Sequence, residues 1–283
     1  MQGKSHIGID LGGTNIRAGI LQNNILQNTI SRRLDATGNS KEILQQVFDI
    51  TDALMQEEVA SIGIGVPGLV DANNSMVYDV VNIPSWQKIS LQQWMETRYK
   101  IPVVINNDAN CFALGEYRFG EGIGCNNMAG LTIGTGLGAG LILNKKLYSG
   151  RNGGAGEFGM MPYLDKCYEY YASGQFFKNV FNISGEIVYA NALNNDASAL
   201  NMFEVFGTHL GNAIKAILFA VDIEVIVLGG SVKNAYSFFE KAMWQQIQNF
   251  PYQQAVQHLK IKIAGLEHSG IIGAASLSDD LQQ

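Results

Sequence analysis

Nothing in this sequence would draw it to a polyanion. Its 19 Lys and Arg against 25 Asp and Glu leave a net charge of −6, and the basic residues are scattered with no stripe among them, so nucleic acid is not an expected partner. Apolar runs are short. None reaches the ~18 residues that a membrane span requires. Ahead of the first strand stands a lone Lys4 with no long apolar segment after it, unlike a secretory leader. The three cysteines, Cys111, Cys125 and Cys167, are far apart and odd in number. That argues against a disulfide framework and for a reducing, cytoplasmic setting. His6, His209, His258 and His268 stand apart in the chain, so no Ser–His–Asp arrangement follows from spacing. A Walker A loop is missing as well.

Glycine, by contrast, is abundant, with 32 residues gathered in four places. Residues 7–21, IGIDLGGTNIRAGIL, set the pattern: an apolar run ending in Asp10, two glycines and a Thr, then an alternating run. A period of two on the far side predicts strand, tight turn, strand. A dinucleotide fingerprint would instead pass from its glycines into a helix. Two readings stand for this stretch. It is an ordinary Gly turn, or it is a phosphate site in which Gly12 and Gly13 let backbone approach the ligand, Thr14 offers a hydroxyl and Asp10 holds a hydrated Mg²⁺. Residues 128–143, MAGLTIGTGLGAGLIL, repeat the design around Gly134, Thr135 and Gly136, which suggests an internal duplication. The pattern G-x-G-x-x-G also occurs at 63–68 and 154–159, but the first contains Pro67 and the second follows a loop, so neither marks a nucleotide fold.

Between these landmarks strands and helices alternate, which makes the class α/β. Strands are expected at 25–33, 60–66, 102–106, 224–228 and 259–264, and a hairpin at 69–83. Helices are expected over 41–57 with Ser40 as its cap, and over 91–99, 109–117, 167–192 and 198–221. Two more should start at Ser231 and near Gly270. With 47% apolar residues, the chain can build one large or two modest cores.

Seven motifs occur in a fixed order: Asp10-x-Gly-Gly-Thr14, Gly65-Val-Pro-Gly68 running on to Asp71, Asn107-Asp108-Ala-Asn110, Gly134-Thr-Gly-Leu-Gly138, Gly154-Ala-Gly-Glu157-Phe-Gly159, Glu169-x-x-Ala-Ser-Gly174 and Leu228-Gly229-Gly230. In this order and spacing the chain resembles the ROK family of sugar kinases across residues 7–277. The resemblance implies a two-lobed actin-like ATPase (ribonuclease H-like) fold with a central cleft. It implies lobes of 1–108 plus 268–283 and of 109–267, in a homodimer. It also implies ATP and Mg²⁺ as cofactors and a small-molecule sugar as substrate. Within it, Asp108 becomes the base that takes a proton from a sugar hydroxyl, commonly the 6-OH; local sequence alone allows a helix cap equally well. Asn107, Gly68, Glu157 and Glu169 would read the sugar. Asp10, Gly12, Gly13, Thr14, Thr135 and Gly136 would hold phosphates and metal, with Gly229 and Gly230 admitting the adenosine or simply forming a close-packed turn.

The family's structural zinc is not expected. Its His position is Met160, its cysteine cluster is reduced to Cys167, and one thiolate cannot make a four-coordinate site. Packing by Tyr163, Tyr168, Tyr170 and Tyr171 would have to order the Glu169 loop instead. Met160 also leaves open a sugar-binding relative with weak or no catalysis. The family's DNA-binding repressors carry a helix-turn-helix ahead of the first Gly hairpin, and here six residues precede Ile7, so that role is not expected.

Overall fold

The computed structural model describes residues 4–71 and 75–280, so 72–74 of the expected 69–83 hairpin and the extreme ends of the expected first lobe lie outside the described residues. The chain enters on β1 (Ser5–Leu11), β2 (Asn15–Gln22) and β3 (Ile25–Arg33), followed by α1 (Ser40–Asp52) and β4 (Val59–Val66). Three short strands, β5 (Leu69–Asp71), β6 (Met76–Tyr78) and β7 (Lys88–Ile89), precede α2 (Leu91–Tyr99), β8 (Val103–Asn107) and α3 (Asp108–Phe119). Next come β9 (Met128–Ile133), β10 (Leu137–Leu143), β11 (Lys146–Leu147), β12 (Pro162–Tyr163) and β13 (Lys166–Cys167). Four helices follow: α4 (Tyr168–Ala172), α5 (Phe176–Phe181), α6 (Gly185–Leu193) and α7 (Ala197–Val221). The chain closes with β14 (Val225–Gly229), α8 (Tyr236–Ile247), α9 (Gln253–His258), β15 (Lys260–Ile263), α10 (Ser269–Ala275) and α11 (Leu277–Asp280). It forms two compact units, one of Met1–Gly124, Gly140–Ala155 and Gly265–Gln283, the other of Cys125–Ala139 and Gly156–Ala264.

In the first unit the sheet order is β3-β2-β1-β4-β8, with β1 antiparallel to β2 and parallel to β4. The sequence explains its two faces. β1 and β4 both alternate isoleucine with glycine, and their register sets Ile7, Gly8 and Ile9 beside Ile62, Gly63 and Ile64. The isoleucines join Ile43, Val47 and Ile50 of α1 in the core. The glycine face lets α10 approach backbone to backbone: a Cβ on Gly8 would collide with the Ile271 carbonyl, and one on Gly63 with the Ala274 carbonyl. Helix α3 closes on α10 in the same way, through Gly115 against Ser269 and Gly273 against Cys111. This packing keeps α3 with the first unit, whose first segment runs to Gly124. Helix α1 begins one residue earlier than expected. Asn39 is its cap, accepting from the Lys41 and Glu42 amides while Glu42 reaches back to the Asn39 amide.

The second unit repeats the design. From the β9–β10 hairpin, β9 runs parallel to β14 and β14 parallel to β15, which is the β1–β4–β8 arrangement again. Its core is aromatic: Phe176 and Phe177 pack on Phe203 and Phe206 of α7, and Phe206 on Phe239 of α8. The expected helix over 167–192 is three helices. Gly174 abuts the backbone of Gly134, and Asn182 ends α5 in the left-handed conformation. The helix expected from Ser231 starts as a 3-10 turn and becomes α8 only at Tyr236.

Candidate functional site

In the first unit the Gly hairpin brings Asp10 to the end of β1, opposite Arg17. The Arg17 guanidinium stays 3.9 Å from the Asp10 carboxylate, so the pair is loose. Burial pushes the Asp10 pKa up, and Arg17 and then His268 oppose the shift. Gly12 closes the turn by donating its N–H to the Asn15 carbonyl at 2.9 Å, and Thr14 stands exposed at the tip. Gly13 has no room for a side chain because Asn82 packs against it. Gly270, at the start of α10, backs the Asp10 carboxyl.

Asp108 opens α3, but it is not the cap. Asn107 is: its Oδ1 accepts the Ala109 N–H at 2.8 Å while its amide nitrogen donates to the Gly68 carbonyl at 3.2 Å. The expected pair Asn107 and Gly68 is therefore joined directly. With the cap supplied by its neighbour, Asp108 is half-buried in the first helical position, where an anion is favoured by the helix dipole. Its Oδ1 also accepts the Ala109 N–H, at 2.8 Å. Below this turn lies a set that the sequence did not flag. The Asn106 side-chain oxygen accepts from the Asn107 amide and from the Asn110 side chain, and its nitrogen donates to Ser149 at 3.2 Å. Cys111 is fully buried, and burial, followed by the charges of Asp108 and Asp10, pushes its thiol pKa well up, so it is no nucleophile.

In the second unit the turn between β9 and β10 holds Thr135 exposed at its tip, and Gly134 donates to the Gly136 carbonyl at 3.0 Å. Glu169 of α4 lies directly against this turn. Its Oε2 accepts the Leu137 N–H at 3.0 Å, and a Cβ on Gly136 would strike the same oxygen. Glu157 sits just ahead of the 3-10 turn Phe158–Met160. Much of the residue is open to solvent, yet desolvation by the protein around its carboxyl, and secondly the Glu169 charge, raise its pKa. Met160 is 62% exposed. Cys167 precedes α4 without capping it, and among the described residues no three His, Cys, Asp or Glu side chains gather as metal ligands would.

Beside the second turn opens a cavity of about 560 Å³, lined by Gly134, Thr135, Lys178, Glu186, Tyr189 and Asn234 among others. Gly229 and Gly230 are not on its wall. Gly230 takes a positive φ of 78° and packs on the Ile133 backbone, where no side chain fits. Its effect is to turn Ser231, Val232 and Asn234 into the cavity. The wall residues of α5 and α6 escaped the sequence reading because one long helix was expected there; the glycines at 174 and 185 were the available signal.

An ionised carboxylate only accepts hydrogen bonds, so a ligand hydroxyl that reached Glu157 would be held best by its ionised form. With its pKa raised, that form is lost at a higher pH than for an ordinary glutamate. Affinity for a hydroxylated ligand should therefore weaken as pH falls, and Glu157→Gln should flatten the profile. Titration of ligand binding between pH 7 and 5 checks this.

Comparison with known proteins gives a consistent result. A family model described as the ROK family matches residues 6–280. A glucokinase of Halalkalibacterium halodurans is 27% identical over 98% of this chain and 96% of its own. The xylose repressor of Bacillus subtilis is 29% identical over 97% of this chain and 77% of its own. Among solved structures, a ROK family glucokinase from Streptomyces griseus in complex with glucose and AMPPNP is similar at a TM-score of 0.82 and 27% identity, covering 96% of this chain and 98% of that one.

Proposed function

The chain belongs to the ROK family, with its α/β actin-like fold, and from that premise we propose that it is an ATP-dependent kinase of a hexose, acting on a hydroxyl such as the 6-OH. The observation that carries this reading is the cavity of about 560 Å³ that opens beside the second Gly–Thr turn, large enough for a nucleoside and edged by Thr135 and backbone glycine. Asp108 accepts the proton of the attacking hydroxyl. The hydroxyl oxygen then bonds to the γ-phosphorus as the bond to the ADP oxygen breaks. Asn107 has a second amide hydrogen beyond the one given to Gly68, and it would donate to the sugar. Glu157 and Glu169 accept from ring hydroxyls. Gly13, Thr14, Thr135 and Gly136 supply N–H and hydroxyl donors to phosphate oxygens. Gly12, whose own N–H closes the turn, lets the backbone come close to them, and Gly229 and Gly230 shape the turn toward the nucleoside. Asp10 suits a hydrated Mg²⁺, because its carboxylate is only loosely engaged by Arg17. When bound, that ion would offset charge developing on the transferring phosphoryl group.

A cytoplasmic homodimer without structural zinc and without affinity for nucleic acid completes the reading. The net charge of −6 supports the last point, and among the described residues no helix is long and apolar enough to cross a membrane. Stoichiometric zinc in the purified protein would overturn the metal assignment. The decisive measurement is ATP consumption against glucose, fructose, allose, N-acetylmannosamine and N-acetylglucosamine. Turnover of at least one sugar is expected. A second reading, a sugar-binding protein without catalysis, draws on the exposed Met160 where the resemblance leads one to expect His. It would be favoured if calorimetry showed sugar binding while no sugar in the panel was phosphorylated.

A further inference from the structure

Helix α4 carries Glu169 but has little means of holding itself in place. It is five residues long, its leading residue Cys167 makes no side-chain cap bond, and so short a helix is not stable alone. Whatever fixes Glu169 against the Leu137 amide must come from outside the helix. The β12–β13 hairpin that feeds α4 places Tyr163 flat against Tyr168, with centroids 4.3 Å apart and planes at 16°. The same ring meets Tyr171 edge-on at 5.7 Å and His209 of α7 edge-on at 5.7 Å. Its hydroxyl lies 3.1 Å from His209 Nδ1 and accepts from the Asn212 side chain at 3.1 Å. Asn212 is anchored in turn on the Thr208 carbonyl of its own helix. Burial lowers the His209 pKa, which favours a neutral ring able to accept a hydrogen bond from the Tyr163 hydroxyl at Nδ1. Tyr163 thus touches residues on both sides of Glu169, at 168 and 171, and ties them to the longest helix of the unit.

We propose that Tyr163 is a positioning residue for Glu169, clamping α4 onto His209 and Asn212 of α7 so that the Glu169 carboxylate is held on the Leu137 amide. The clamp stands on ring contacts and hydrogen bonds within the second unit. Its consequence for sugar binding rests on the proposed function; its consequence for the Leu137 amide does not.

The test therefore has two arms on the full chain. In the first, amide hydrogen exchange is followed by NMR without any substrate. Tyr163→Ala should speed exchange at Leu137 about tenfold and leave Leu131, in the core of β9, unchanged. Tyr163→Phe keeps the stacked ring but loses the bonds to His209 and Asn212, and its exchange rate at Leu137 should fall between those of the parent and Tyr163→Ala. In the second arm, Tyr163→Ala should raise the sugar KM about tenfold with kcat and the ATP KM within about threefold, and combined with Glu169→Gln it should add little to the single change. Unchanged exchange at Leu137 in a folded Tyr163→Ala protein would overturn the clamp. So would equal rises in both KM values, or fully additive effects with Glu169→Gln. Absence of all sugar turnover in the parent chain would instead count against the proposed function and leave the exchange arm to decide the clamp.

Discussion

Asp108→Asn is expected to lower kcat by about a thousandfold while leaving the sugar and ATP KM values within about threefold, because a positioned general base contributes roughly 10²- to 10⁴-fold to such a transfer. The substitution isolates the proton transfer unusually well. Asn107, not Asp108, caps α3, so the substitution leaves the cap of the helix in place. The amide oxygen of the introduced side chain can still accept the Ala109 N–H that Asp108 Oδ1 accepts now. Thermal stability should fall by no more than about 1 kcal/mol, the helix-dipole contribution that goes with the charge, because the hydrogen bond is kept. The expected split is measured by steady-state kinetics beside a thermal melt. A variant that kept a tenth or more of the parent kcat would remove Asp108 from the role of base, whatever its stability.

The distinction between Asp108 and its neighbour was not legible in the sequence, and the reason is physical. Asn and Asp are about equally good caps, so Asn107-Asp108 read along the chain does not say which one caps. The structure decides through Gly68, whose carbonyl takes the Asn107 amide and fixes that side chain in the capping rotamer. What periodicity did reveal was the hairpin at Asp10 and its repeat at Thr135, because alternation and Gly turns are local. The strands around them followed for the same reason. The misreadings were non-local. Residues 167–192 have a helical pattern throughout, yet the backbone of Gly134 meets Gly174 and the run breaks there. The tyrosines near Glu169 were visible as a cluster, but His209 and Asn212, some 46 and 49 residues beyond Tyr163, could not be assigned to it from spacing. The pairing of α3 with a helix that begins at Ser269 was out of reach for the same reason.

That last contact yields the largest structural effect. Gly63→Ala is expected to destabilise the first unit by on the order of 3 kcal/mol, at the upper end of overpacking costs. The new methyl has nowhere to go. It would occupy the Ala274 carbonyl, which is backbone of a helix that Gly115 and Gly273 pin to α3 on its other side, so neither the strand nor α10 can retreat without opening a second close contact. A downward shift in Tm of roughly 10 °C is the expected reading by calorimetry. Gly265→Ala is the matched control: a Cβ there meets nothing within 4 Å, and its Tm should stay near the parent's. The effect should reach the Asp10 turn proposed to hold phosphate as well. Gly270 of the displaced helix backs the Asp10 carboxyl, so any Gly63→Ala protein that folds should show a raised KM for ATP along with its lowered Tm. If Gly63→Ala melts with the parent, backbone packing of α10 on the glycine face is not what holds this unit together.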